Sequence, residues 1–321
     1  MTIGVIGLGS IGERHTRNIQ RMYPHASVDI LTKRTSWNGA AKGTTPIQNE
    51  RKFFQREHDI YFITNETNKH ARTILKCLAQ KPRGIFVEKP LSHTMADIPR
   101  IATIAKKQRT VLIVGYNLQY FKPLRELKKL LKKGSIGTLL AMRIAVGRDI
   151  RAWRMRDYRK TYSAQGSKGG GVVLDLIHDL NYPSWLLGES LQFLAGGSAR
   201  RSRLAIHAED IAESIFRTKS SVIVSVHQDY LAIPGGRSCE VIGSKGSIIW
   251  RWDFPNSKST LEVRIGSKNR TRRIPHGNIN RMYSEEVRAF MRHVGAGKGY
   301  TNLPEATHDL KNALAVRSGS I

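Results

Sequence analysis

The chain has 321 residues, 40% of them hydrophobic and 24% charged, the balance of a globular protein with a real core and room for two domains. Lys and Arg number 53 against 25 Asp and Glu, a formal net charge of +28, and basic residues exceed acidic ones on both sides of residue 118. With no apolar run near the ~18 residues of a membrane span, no basic leader before the N-terminal apolar stretch, and only Cys77 and Cys239, the chain is expected to lack a membrane span, a signal peptide, a disulfide framework and a Cys-based zinc site.

In chain order, apolar runs at 2–6, 27–31, 59–64, 84–88 and 110–115 predict buried strands, and 11–22, 67–80 and 94–108 predict amphipathic helices. Strands alternating with helices imply βαβ units and a parallel sheet. Residues 33–57 carry no clear pattern. Beyond 119 the rhythm changes. A helix is expected over 122–133, with Leu124, Leu127, Leu130 and Leu131 on one face, and a second over 173–187. Strand-like runs follow at 190–196, 211–217, 221–230, 238–243, 246–252 and 260–265, with a hairpin turn at 243–246, and helices over 281–294 and 304–317 close the chain. The expected fold is α/β: an N-terminal Rossmann domain, a doubly wound parallel sheet, over 1–118, and a C-terminal α+β domain with a largely antiparallel open sheet over 119–321.

Gly7-Leu8-Gly9-Ser10-Ile11-Gly12 is a G-x-G-x-x-G placed between a predicted strand and a predicted helix. In that context Gly7 permits the tight turn, Gly9 admits a pyrophosphate, and Gly12 lets helix and strand pack closely. The amides of Ser10, Ile11 and Gly12 then face the phosphates. An NAD site usually ends its second strand on an acid that binds the ribose 2′-hydroxyl. Here that strand ends Leu31-Thr32-Lys33-Arg34, and Asp29 lies inside it. Thr32, Lys33 and Arg34 suit a 2′-phosphate, so NADP is expected ahead of NAD.

Gly84-Ile85-Phe86-Val87-Glu88-Lys89-Pro90-Leu91 is a strand ending in Glu-Lys-Pro. With the glycine turn, it resembles the Gfo/Idh/MocA family of NAD(P)-dependent oxidoreductases over nearly the whole chain. Thr64-Asn65 with His70 is similar to the family's segment after the fourth strand, and Gly115-Tyr116-Asn117 to its domain-crossing strand. Gly169-Gly170-Gly171 with Asp175 and His178 is similar to its catalytic helix, and Tyr283, Glu286 and Phe290 to its late helix. Residues 157–163 (DYRKTYS) resemble members linked to surface-polysaccharide and nucleotide-sugar pathways.

The resemblance implies hydride transfer between nicotinamide and a carbinol carbon of a sugar or nucleotide sugar, in a homodimer or homotetramer built through the second domain; the two cysteines are expected to be buried thiols in a reducing cytoplasm. It assigns Thr64, Asn65, His70, Glu88, Lys89 and Asn117 to the cofactor pocket. Lys89, Asp175 and His178 are the expected catalytic and substrate-contacting residues. A neutral imidazole suits a general base, so His178 takes the hydroxyl proton and Lys89 steadies the alkoxide, or the two exchange roles. Asp175, three residues before His178, would share its helix face and orient it or hold a substrate hydroxyl. The chain departs from the family in three places: many members space this Asp and His four apart, many have an acid where Asn181 stands, and the second strand lacks its acid.

Residues 151–160 (RAWRMRDYRK) hold five basic residues with Trp153 and Tyr158 among them. Arg154 and Tyr158 are candidate contacts for a nucleotide-sugar diphosphate; the plainer reading is a solvated basic loop. The basic runs 200–203 and 268–273 read as solvated loops, and neither a metal site nor specific nucleic-acid binding is expected. The competing reading is a non-catalytic NADP-binding sensor or scaffold on the same fold.

Overall fold

The computed structural model describes residues 1–34, 43–153, 157–275 and 277–319. Two compact units emerge: Met1–Tyr116 with Tyr283–Thr307, and Asn117–Met282 with His308–Ile321. Both are discontinuous in sequence, whereas the sequence pattern suggested one cut at 118/119.

The first unit contains β1 (Thr2–Ile6), α1 (Ser10–Met22), β2 (Ser27–Leu31), β3 (Thr44–Ile47), α2 (Glu50–Phe54), β4 (Ile60–Ile63), α3 (His70–Ala79), β5 (Gly84–Glu88), α4 (Ile98–Gln108) and β6 (Val111–Gly115). Its six strands run in the order β3-β2-β1-β4-β5-β6, all parallel. Strands covered on both faces need apolar side chains on both, which is why β4 reads IYFI and is buried throughout. The unpatterned stretch after β2 supplies the edge strand β3 and the short α2. The strand order reverses between β1 and β4, where ligands of such sheets bind beyond the strands' carboxyl ends.

The second unit contains α5 (Lys122–Lys132), β7 (Leu139–Gly147), α6 (Ile150–Trp153), α7 (Val172–Asp175), α8 (His178–Leu187), β8 (Gln192–Ala199), β9 (Ile211–Arg217), β10 (Ile223–Asp229), β11 (Gly236–Gly243), β12 (Gly246–Asp253), β13 (Lys258–Ile265) and β14 (Lys268–Arg273). The chain closes with α9 (Asn280–Ala296) and α10 (Leu303–Ser318). Eight strands lie in the order β14-β13-β12-β11-β7-β10-β9-β8, antiparallel except for β7 beside β10. Helices α5 and α8 cover one face. The other carries Ala141, Arg143, Ala145, Ile215 and Ile223, with both isoleucines exposed.

Three expectations are corrected here. Strand β7 was not predicted: LLAMRIAVG is rich in good helix formers, and its alternation shows only once one face is buried. The run 268–273, read as a loop, is solvated but forms the edge strand β14, exposed at all six residues. Its basic side chains discourage further pairing at that edge. The helix expected over 173–187 is two helices, broken at Leu176–Ile177. The buried Gln228 amide donates to the Leu176 carbonyl at 2.9 Å, and Leu180 bonds back three residues to Ile177 rather than four to Leu176.

His227, on the uncovered face, meets Glu213 at 2.5 Å and Asp229 at 2.9 Å. Its hydrogen bond to Asp229, reinforced by Glu213 against partial burial, raises its pKa to about 9. A folded-state value above the unfolded ~6.5 gives stability that is full below that pH and lost as pH rises through about 9. His227→Gln should therefore lower Tm at pH 6 and converge with the parent by pH 10. A constant gap in melts across that range would show that the charge is not responsible.

Candidate functional site

The turn between β1 and α1 has the shape its sequence implies. Gly7 sits at φ +101°, and a Cβ there would lie 2.7 Å from the Asn65 amide. A Cβ on Gly12 would lie 2.2 Å from the Gly7 carbonyl. The Thr64 hydroxyl donates to that carbonyl at 2.7 Å, tying β4 to the turn. Around Gly9, by contrast, a Cβ would meet nothing within 4 Å. Gly9 and Ser10 are exposed, and no side chain caps the first turn of α1. Asn65 donates to Thr73 at 3.0 Å, and its buried Oδ1 has no partner among the described residues. Open space at Gly9 before uncapped helix amides fits a dinucleotide pyrophosphate.

Within β2, Asp29 is engaged by Arg56 and by His58, at 2.9 and 3.0 Å. The Thr32 hydroxyl accepts the Arg34 amide at 3.1 Å. The Arg34 guanidinium pairs with Glu13 of α1. Lys33 is exposed and makes no ion pair among the described residues. Of the three residues expected at a 2′-phosphate, Arg34 is thus already held by a carboxylate.

Strand β5 delivers Glu88, Lys89 and Pro90. Glu88 Oε1 lies 2.6 Å from His15 Nε2, and Oε2 accepts the Lys89 amide at 3.3 Å. His70 is fully buried, with Nδ1 2.8 Å from the Pro90 carbonyl and Nε2 3.1 Å from the Asn65 carbonyl. Burial holds its pKa below the usual value, against the pull of those two carbonyls. His70 therefore pins the segment after β4 to the turn after β5. His15, Glu88 and Glu286 of α9 bring ligand-type atoms within 4.8 Å of one another.

In the second unit, a Cβ on Gly170 would lie 2.0 Å from the Tyr162 carbonyl, and the Gly171 amide donates to Ser163 at 3.0 Å. This close approach sets Tyr162 and Ser163 against Asp175. Its carboxylate, 2% exposed, accepts from Tyr162 and Ser163 at 2.7 Å and from Tyr230 at 3.0 Å. Asp175 ends α7 and the half-buried His178 begins α8, so the single helix face expected for them does not exist. The next residue, Asp179, is fully buried and held by Arg237 through two contacts of 2.9 Å. Asn181, where many relatives have an acid, is spent on the fold: it accepts from Gln119 at 3.0 Å and donates to Asp309 at 2.8 Å.

Asn117 opens the second unit, its buried Oδ1 without a partner among the described residues. Arg154 lies outside the described residues. Tyr158 is half-buried, its hydroxyl accepting the Ala205 amide at 3.3 Å. Arg151 pairs with Asp149 and Arg159 with Asp157, so two cations of the 151–160 run are matched by acids two residues away. Lys89 belongs to the first unit, Asp175 and His178 to the second.

Residues 1–116 match the oxidoreductase family with an NAD-binding Rossmann fold, and residues 124–249 match the Gfo/Idh/MocA C-terminal domain. The chain belongs to the Gfo/Idh/MocA family of oxidoreductases. It is 28% identical over 315 residues to the myo-inositol 2-dehydrogenase of Thermotoga maritima, spanning 93% of this chain and 89% of the relative. Its fold is similar to KijD10, a 3-ketoreductase from Actinomadura kijaniata solved with NADP and TDP-benzene (TM-score 0.83, 18% identity, 99% and 97% of the two chains). It is also similar in fold to the myo-inositol 2-dehydrogenase of Lactobacillus plantarum (TM-score 0.79, 20% identity, 98% and 96%). Cys77 and Cys239 are free and buried. No helix among the described residues is long and apolar enough to cross a membrane.

Proposed function

We propose that this protein transfers a hydride between NAD(P) and a carbinol carbon of a sugar, cyclic polyol or nucleotide sugar. The observation that carries the reading is the Gly7–Gly12 turn, open at Gly9 and closed by packing at Gly12, within a chain of this family. The nicotinamide, when bound, supplies the hydride acceptor or donor. Lys89 donates a hydrogen bond to the reacting oxygen, and His178 takes the hydroxyl proton. Asp175 already accepts from three hydroxyls, which favours holding residues 162–163 in place over taking a proton itself.

NADP remains the preferred cofactor. A 2′-phosphate would draw first on Lys33 and Thr32, because Arg34 must leave Glu13 to take part. The internal pairing of Arg151 and Arg159 weakens a diphosphate-binding role for that run. A second copy of the chain packed on Ile215 and Ile223 of the uncovered sheet face would give the expected dimer or tetramer. The two buried thiols suit a reducing cytoplasm.

The test is a titration with NADPH and NADH, followed by energy transfer from tryptophan at low and high salt and then by turnover on a panel of sugars and inositols. Salt-resistant NADPH binding with turnover supports the reading. Stronger NADH binding reverses the cofactor preference alone. Salt-resistant binding without turnover on any polyol favours the sensor. Loss of both cofactors at high salt removes the reading.

A further inference from the structure

We propose that Glu88 and Glu286 share one proton in a buried cluster with His15, and that this cluster fixes the backbone behind Lys89. Its first part stands on the first unit's geometry alone; the second rests on the catalytic reading of Lys89.

His15 is fully buried, Glu286 is 2% exposed, and only a sliver of Glu88 reaches solvent. The walls are aromatic: His15 lies 5.1 Å from the Phe86 ring, 5.9 Å from Phe62 and 6.1 Å from Tyr283. Neither oxygen of Glu286 has a hydrogen-bond partner among the described residues. Buried carboxyl oxygens are rarely left so, and each such case calls for a missing proton, ion or water. The 2.6 Å contact sets His15 Nε2 against Glu88, and the buried Nδ1 has no partner among the described residues to hold a second proton. Two carboxylates would then face each other across a phenyl-lined space with no cation of their own.

The charged and titratable groups around them do not supply one. Arg14 of α1 lies 4.3 Å over the Tyr283 ring. Lys89 follows Glu88 at the strand end, Tyr116 follows β6, and His70 is occupied with two carbonyls. Burial and the charge of Glu88 both push the Glu286 carboxyl well above its usual range, and the Tyr116 amide pulls more weakly the other way. A divalent ion is the other way to join two carboxylates and a histidine. It would hold each ligand at about 2.0–2.2 Å and stand between them, whereas His15 and Glu88 already touch directly.

The consequence reaches Lys89 through Glu88, whose second oxygen accepts the Lys89 amide. One shared proton leaves Glu88 an oxygen that still accepts this amide, so the backbone that carries Lys89 stays held.

The experiment is infrared spectroscopy of the full chain in H2O and D2O at pH 7–8, on the parent and Glu286→Gln, with metal content measured by elemental analysis. A solvent-isotope-sensitive band of a protonated carboxyl, present in the parent and absent in Glu286→Gln, is the expected result. No such band, a band that persists in Glu286→Gln, or one equivalent of metal per chain overturns the proposal. Should Glu286→Gln fail to fold, 13C NMR of the parent labelled at glutamate carboxyls replaces it: one resonance still protonated at pH 7 supports the proposal and none overturns it. For the second part, Glu88→Ala should lower kcat at least tenfold, and Glu88→Gln, which keeps an acceptor oxygen for the Lys89 amide, should restore most of it. Equal losses in the two variants overturn the link to Lys89. Absence of turnover with the carboxyl band intact faults the enzyme reading and leaves the cluster standing.

Discussion

Lys89→Ala is expected to lower kcat by about 10²–10⁴-fold, the range a positioned acid–base group supplies, while the chain stays folded. Lys89 is half-buried at the carboxyl end of β5, and its backbone is held on two sides. Glu88 accepts its amide, and His70 bonds the Pro90 carbonyl that follows. Such a frame makes sense for a side chain that must meet one atom. Steady-state kinetics on the polyol that the screen identifies would read the effect. A raised KM with kcat preserved would reduce Lys89 to a substrate-binding group, and unchanged turnover would remove it from the mechanism. His178→Ala should lower kcat comparably if it takes the hydroxyl proton as proposed, and unchanged turnover would remove it from the mechanism.

The glycine turn gives the second large effect, as a contrast between two positions three residues apart. Gly12→Val should destabilise the first unit by about 1–3 kcal/mol or more, because even its Cβ would lie 2.2 Å from the Gly7 carbonyl and 2.8 Å from the Thr64 hydroxyl. Gly9→Val should melt with the parent, since a Cβ there meets nothing. Yet it should weaken dinucleotide binding at least tenfold by filling the space the pyrophosphate needs. Thermal melts beside cofactor titrations separate the two. Retained binding in Gly9→Val would mean the cofactor does not approach that backbone.

The parallel sheet was legible because strands covered on both faces have no polar positions to blur them; IYFI at β4 and GIFVE at β5 leave little choice. Strand β7 was not, because its less buried residues, Leu139, Leu140, Ala141, Arg143 and Ala145, are good helix formers when read locally and mask the alternation. The Gly7–Gly12 turn could be read because its purpose is local. Asp175 and His178 were singled out by resemblance, and the shared helix face expected for them failed on a long-range contact from Gln228, 52 residues from Leu176. The meeting of His15 with Glu88, 73 residues apart, follows only from the packing of α1 on β5, and Glu286 joins them from α9. The signal that could have hinted at it was a charged residue at an apolar-spaced position of the late helix, between Val287 and Met282, both buried.

The threading of the chain has a consequence for how the protein is made. Val287, Phe290 and Val294 complete the core beneath β1, β4 and β5, while the second unit waits for residues from His308 onward. Neither unit can be finished until residues from Tyr283 onward have been made, so the first cannot complete its core before the second has been synthesised through Met282. Nascent chains would carry the aromatic underside formed by Phe62 and Phe86 uncovered for most of synthesis. That makes the arrival of the segment from Tyr283 onward the step that commits both units, and a natural point for chaperone holding.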